Sequence, residues 1–259
     1  MDKNIRIILQ YDGTRYDGWQ KQGNTDQTIQ GRLESVLEKM AGVPIEVQGS
    51  GRTDAGVHAH GQVANFFISE NFFKNCGTET KDGRTDAKFV KEYLNHYLPE
   101  DIAVLEASEA EPRFHSRLNA VSKTYVYKIE TADKKDVFER KYRYKVGQEL
   151  DLQAMRRVAS CLVGTHDFKS FSSLKKAKKS TTRTLSSIEI TEEGTQVIIT
   201  YEADGFLYNM ARILTGTLIE VGLHEKTLDE VKTALTGNNR ALAGPTAPAE
   251  GLFLEKVTY

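Results

Sequence analysis

Apolar and polar residues alternate from the start of the chain. Ile5, Ile7, Leu9 and Tyr11 interleave with polar neighbours over residues 4–11, the period of a strand with one buried face. Asp12-Gly13 ends this run, and the polar-aromatic stretch that follows holds the only tryptophan, Trp19. Residues 24–28 offer helix-start chemistry. From Ile29 the spacing turns helical: Ile29, Leu33, Val36, Leu37 and Met40 share one face until Gly42 and Pro44. Residues 45–48 and 62–68 read as strands. Residues 69–86 lack periodicity and read as a surface insertion. A second helix is predicted over 87–98, with Val90, Leu94, Tyr97 and Leu98 inward and Pro99 as its stop, then a strand over 102–107. The order β-α-β-β-α-β matches a ferredoxin-like, or split βαβ, unit.

Residues 109–112 look like a boundary. Beyond it a strand is expected over 120–130, with Val121, Tyr125 and Ile129 as its apolar positions, and another over 140–146. Leu152, Met155, Val158, Ala159 and Leu162 mark a helix capped by Asp151. Residues 183–191 and 196–203 read as paired strands around Gly194. Residues 206–221 read as a long, largely buried helix, 227–235 as a short amphipathic one, and 252–258 as a closing strand. The expected architecture is α+β: two ferredoxin-like halves, 1–110 and 111–259, joining antiparallel sheets around a cleft.

Composition excludes several classes. With 39% hydrophobic and 27% charged residues, a soluble globular protein is expected. No apolar run approaches a membrane span, and the N-terminal residues show no signal peptide. Cys76 and Cys161 are far apart and in no metal-like spacing, so a reduced, cytoplasmic protein is expected. The net charge of −1 conceals an asymmetry. Residues 113–183 carry 18 Lys+Arg and 7 Asp+Glu, a net of +11, and the remainder carries 17 and 29, a net of −12. Lys175, Lys176, Lys178 and Lys179 fall in the basic part. A polyanion-binding face on an acidic body fits this division, and so does a solvated lysine-rich loop.

Candidate chemistry centres on residues 50–61. Glycines bracket Arg52-Thr53-Asp54 in a loop between two predicted strands, a setting that can hold one carboxylate at a fixed point. A hairpin with a turn-making Asp is the plainer alternative. His58 and His60, at i and i+2, are expected on the same side of a strand, but no third ligand accompanies them, so no metal site is expected. No Walker loop, dinucleotide fingerprint or serine-hydrolase elbow is present. Arg212 lies within the apolar run Phe206–Leu214 and needs a partner. Either it snorkels to the surface, or it pairs with Asp54 and keeps that carboxylate ionised. Basic and aromatic residues interleave from Arg113 to Lys128, a toolkit for unpaired RNA.

Ordered motifs along nearly the whole chain resemble the TruA-type tRNA pseudouridine synthases. The first is Tyr11-Asp12-Gly13 with Gly18-Trp19-Gln20, and the second is Gly51-Arg52-Thr53-Asp54-Ala55-Gly56-Val57-His58-Ala59. Phe114-His115-Ser116-Arg117 and Lys123-Thr124-Tyr125-Val126-Tyr127 follow, then Asp167–Phe171 and Arg183-Thr184-Leu185. Gly205–Arg212 and Pro245–Leu252 close the set. The 69–86 insertion is longer than usual, and Tyr208-Asn209 stands where His is frequent in relatives. The resemblance implies the pseudouridine synthase fold, and isomerisation of uridines to pseudouridines at tRNA positions 38, 39 and 40 in the anticodon arm. It implies a homodimer without cofactor. Asp54 is then the nucleophile, Tyr125 contacts the target base and Arg212 partners Asp54. Arg52 and His58 of the same motif are candidates for substrate contact. A non-catalytic RNA-binding module is the competing reading, and a metal-dependent nuclease or deaminase a third.

Overall fold

The alternating run at the N-terminus forms β1 (Asp2–Tyr11), with Ile5, Ile7 and Leu9 fully buried. The computed structural model describes residues 2–69, 71–72, 86–174 and 180–259. Most of the 69–86 insertion, and Lys175, Lys176, Lys178 and Lys179, lie outside these residues. Ten strands and five longer helices make an α+β chain among the described residues, and it divides into two compact units. One comprises residues 1–121 and 254–259, the other residues 122–253.

In the first unit β1 lies between β3 (His58–Ser69) and β4 (Ile102–Glu109), antiparallel to both. A short β2 (Gln48–Gly49) pairs with β3 at Asn65 and Ala64. β10 (Leu252–Thr258) takes the other side of β3. The strand expected over 45–48 therefore shrinks to two residues, and β3 starts four residues earlier than its apolar run. Helix α1 (Ile29–Ala41) begins where Thr28 accepts a bond from the Gly31 amide and ends at Gly42, whose φ is 72°. Its buried stripe is the predicted one. Helix α2 (Asp86–Tyr97) lies on β4, where the Asn95 side chain bonds both backbone groups of Val104, at 2.8 and 2.7 Å.

In the second unit β5 (Ser122–Glu130) pairs with β9 (Gln196–Ala203), β9 with β8 (Thr182–Glu193), and β8 with β7 (Gly164–Asp167). Tyr125, Tyr127 and Ile129 stand opposite Tyr201, Ile199 and Val197, all buried. Val121, expected inward, is 64% exposed and precedes the strand. The strand expected over 140–146 is only β6 (Tyr144–Lys145), parallel to the end of β5. Helices α3 (Leu152–Leu162), α4 (Met210–Gly222) and α5 (Leu228–Gly237) pack on one another through α3. Asp151 caps α3 as expected, and Thr227 with Glu230 forms a capping box on α5. The helix expected from 206 starts only at Met210. Asn209 before it has φ 61°, a left-handed conformation that no helical run passes through.

Candidate active site

Asp54 opens a tight turn at the entry to β3. The Val57 amide donates to the Asp54 carbonyl over 3.1 Å, and Gly56, at the third position, has φ 78°. The loop that follows β1 lies directly on this turn. Trp19 donates its amide to the Thr53 carbonyl (3.0 Å), and Gly56 donates its own to the Tyr16 carbonyl (3.2 Å). Both approaches need glycine. A Cβ on Gly18 would lie 2.6 Å from the Thr53 oxygen, and one on Gly13 would overlap the Val57 carbonyl.

Side chains lock the same loop from below. Thr53 is buried, and its hydroxyl shares a 2.8 Å hydrogen bond with that of Tyr11. Gln62, fully buried in β3, donates to the Gly51 carbonyl (3.2 Å) and accepts from the Ser50 hydroxyl (2.6 Å). Burial raises the Tyr11 hydroxyl to about 12, so it stays protonated and able to donate. The half-buried Asp54 carboxylate is thus carried by a backbone fixed on both sides.

Arg52 is held by a relay that reaches back to α1. Its Nε donates to Gln20 Oε1 (3.1 Å), and Gln20 Nε2 donates to Gln30 Oε1 (2.7 Å). Gln30 Nε2 donates in turn to Glu34 Oε1 (2.9 Å) and the Val47 carbonyl (3.1 Å). Gln30 is 7% exposed, so its orientation is set by these bonds and not by water. His58 is buried, and its Nδ1 lies 3.1 Å from the Gly13 amide and 3.1 Å from Asp12 Oδ1. His58 braces the turn at Gly13. His60 is exposed and bonds Glu255 at 2.7 Å. The two histidines do not share a face, because an extra residue between Ala59 and Gln62 breaks the strand alternation against β1. No group of three or more potential metal ligands occurs among the described residues.

The remaining predicted residues lie in the second unit. Tyr125 is 6% exposed in β5, and its ring meets Phe206 edge-on, with centroids 4.8 Å apart and planes at 76°. Arg212 sits in the first turn of α4 and not in the middle of a buried helix. Its Nε donates to the Ala247 carbonyl (2.7 Å), while its own carbonyl accepts from the Ala247 amide (3.1 Å). Nη1 donates to Asn209 Oδ1 (3.2 Å), and Asn209 Nδ2 donates to the Ser173 hydroxyl (3.0 Å). A cation in a first turn opposes the helix dipole, so Arg212 and the helix end together make a concentrated positive field. Tyr127 donates to the neighbouring Pro248 carbonyl (2.8 Å), so Tyr127 and Arg212 hold the same loop. Gln20, Gln30, Gln62 and Tyr127 were not singled out from the sequence, and Asn209 only as a residue standing where His is frequent in relatives. Their partners lie from 3 to 121 residues away, and only the quoted motifs, which contain Gln20, Asn209 and Tyr127, gave any sign of them.

Comparison with known proteins adds identity to this geometry. A family model described as tRNA pseudouridine synthase matches residues 7–119 and 158–259. A tRNA pseudouridine synthase A from Bacillus sp. (strain KSM-64) is 48% identical over 256 residues, which is 99% of each chain. A tRNA pseudouridine synthase A 2 from Bacillus cereus (strain ZK / E33L) is 43% identical, again over 99% of each. One from Clostridium tetani (strain Massachusetts / E88) is 42% identical over the full length of both.

Proposed function

The chain belongs to the tRNA pseudouridine synthase family, and we propose that it isomerises uridines at positions 38, 39 and 40 of the tRNA anticodon arm, with Asp54 as the nucleophile. In this reaction the C1′–N1 bond breaks, the uracil turns, and a C1′–C5 bond forms. The hydrogen on C5 leaves as a proton and N1 gains one, so the product is an isomer and no cofactor takes part. An ionised carboxylate can attack the sugar, add to the base, or promote loss of a proton beside C1′. Each route asks for one carboxylate at a fixed point.

The observation that carries the reading is the clamped turn bearing Asp54. The Gly18 and Gly13 approaches, the Thr53–Tyr11 bond and Gln62 fix its backbone before substrate arrives. Arg52, oriented by Gln20, contacts the substrate beside it, and His58 supports the loop. In the second unit Tyr125 with Phe206 forms the aromatic wall for the target base. Arg212 holds the carboxylate ionised, a role its first-turn position supports because the field there favours an anion. The target base leaves its stack first, at a cost of a few kcal/mol that stacking partly offsets.

The ferredoxin-like reading of the first half is supported by the strand order β4-β1-β3 with β2 beside β3. The Asp54 loop belongs to the first unit and the RNA-binding face is assigned to residues 122–253; the boundary expected after 110 falls at 121, and residues 254–259 return to the first unit. The working form is a homodimer. Incubating the protein with unmodified tRNA transcripts and mapping carbodiimide-dependent reverse-transcription stops tests the position assignment. Stops at 38, 39 and 40 are expected, and stops confined to other positions overturn it.

A further inference from the structure

A cavity of about 660 Å³ opens in the first unit, and none of its lining side chains has a part in the chemistry above. Its walls carry Arg15 from the turn after β1, Arg32 and Lys39 from α1, and Tyr97 from the end of α2. Arg32 and Lys39 are seven residues apart, two helical turns, so they share one face about 10 Å apart along the axis. No carboxylate is among the described lining residues. Asp101 is taken up by Arg15, at 2.6 Å from Nη2 and 3.0 Å from Nε, and by the Tyr16 hydroxyl. The Arg32 guanidinium donates to a neutral amide, Gln27 Oε1, at 2.9 Å, and no ion pair is formed by it among the described residues. Tyr97 is 57% exposed.

We propose that this cavity takes one nucleotide of the tRNA backbone, with Arg32 and Lys39 on the phosphate and the Tyr97 ring against its base or ribose. The volume suits a nucleotide. Cations without facing carboxylates are what a phosphate requires, and an exposed ring is what an unstacked base requires. Location links the cavity to the reaction. Tyr16 lines it, and the Tyr16 carbonyl accepts the amide of Gly56, two residues from Asp54. The proposal sets the backbone of the strand whose uridine reaches Asp54 against these cations. The inference rests on tRNA being the substrate and adds a second contact that anchors the RNA beside the reacting base.

Equilibrium binding of unmodified tRNA transcripts across a range of salt concentrations tests it, with tritium release from [5-³H]uridine-labelled tRNA measured alongside. Arg32→Gln/Lys39→Gln is expected to weaken binding about 10-fold and to flatten the slope of log K against log salt by about 0.7–0.9, one phosphate's worth. Its rate at saturating tRNA stays near that of the native protein. Tyr97→Ala weakens binding about 5-fold. Lys39→Gln alone, at an exposed position, must move binding in the same direction with an unchanged melting temperature. Lys232→Gln, an exposed cation on α5, leaves binding unchanged.

Native affinity and salt slope in the double variant overturn the proposal. So does native tRNA binding combined with lost binding of inorganic phosphate by calorimetry, which makes the cavity a free-anion site. Weakened binding through the cavity with no pseudouridine formed by the native protein leaves this contact standing and removes the proposed reaction. Pseudouridine formed normally, with the double variant binding as the native protein does, does the reverse.

Discussion

Gly18 and Thr53 touch backbone to backbone: a Cβ on Gly18 would lie 2.6 Å from the Thr53 carbonyl oxygen, one residue before Asp54. Gly18 also has φ 95°, so alanine there meets a clash and a forbidden conformation together. Gly18→Ala is expected to destabilise the fold by about 2–4 kcal/mol in urea unfolding. Because the displaced atoms carry Asp54, the turnover rate should fall at least about 10-fold even where the variant is folded. A folded variant with native turnover would show that the clamp does not position the carboxylate.

Gln20 is expected to act through Arg52. Gln20→Leu removes the acceptor at 3.1 Å from Arg52 Nε. Catalytic efficiency should fall about 10-fold, the usual scale for one hydrogen bond to a charged group. Combining it with Arg52→Gln should add little, since both act on one guanidinium. Full additivity in this double-mutant cycle would separate the two residues.

These two residues show what a sequence can reveal and what it cannot. Helices α1, α3 and α5 were legible because a capping residue and a clean 3.6-residue stripe agree at each: Thr28, Asp151 and Thr227 all accept the expected amide bond. Asp54 was legible as an unusual carboxylate because glycines bracket it. The relay through Gln20 and Gln30 was not, because amide partners ten residues apart leave no periodic trace. The helix start at 206 was misread because Phe206 and Leu207 continue the apolar pattern of α4, while the actual boundary is set by the left-handed φ of Asn209. Gly164–Asp167 escaped because four mixed residues carry no period, and their pairing with β8 makes the strand. Val121 looked like a core position only because the strand was begun two residues early.

Tyr125 offers a graded test of the aromatic wall. Its edge-to-face contact with Phe206 is retained by phenylalanine and lost with leucine. Tyr125→Phe should keep base stacking and lose only a step that uses the hydroxyl, whereas Tyr125→Leu should fall about 10-fold or more below it, given ~1–3 kcal/mol per stacked base. Equal single-turnover rates for the two variants would argue against stacking.

Acid should weaken the second unit through its helix caps. Donation from the Ala154 amide lowers the Asp151 carboxyl below its ordinary 3.8, and donation from the Thr227 amide lowers that of Glu230 below 4.5. A folded-state pKa below the unfolded one means that the stabilisation is present above the ordinary value and is lost as pH falls through the folded value. Stability should therefore drop below about pH 4.5, and Asp151→Asn, which keeps a capping oxygen without the charge, should show a shallower drop. Urea unfolding from pH 7 down to 3 measures both slopes, and identical slopes would assign the acid sensitivity elsewhere.

The central claim is that the Asp54 carboxylate performs the reaction and does not merely shape its turn. Asp54→Asn preserves the turn, whose closing bond is donated by the Val57 amide to a main-chain carbonyl. Tritium release from [5-³H]uridine-labelled tRNA should fall to background in this variant while its affinity for tRNA stays native. Release at the native rate by Asp54→Asn would contradict the account.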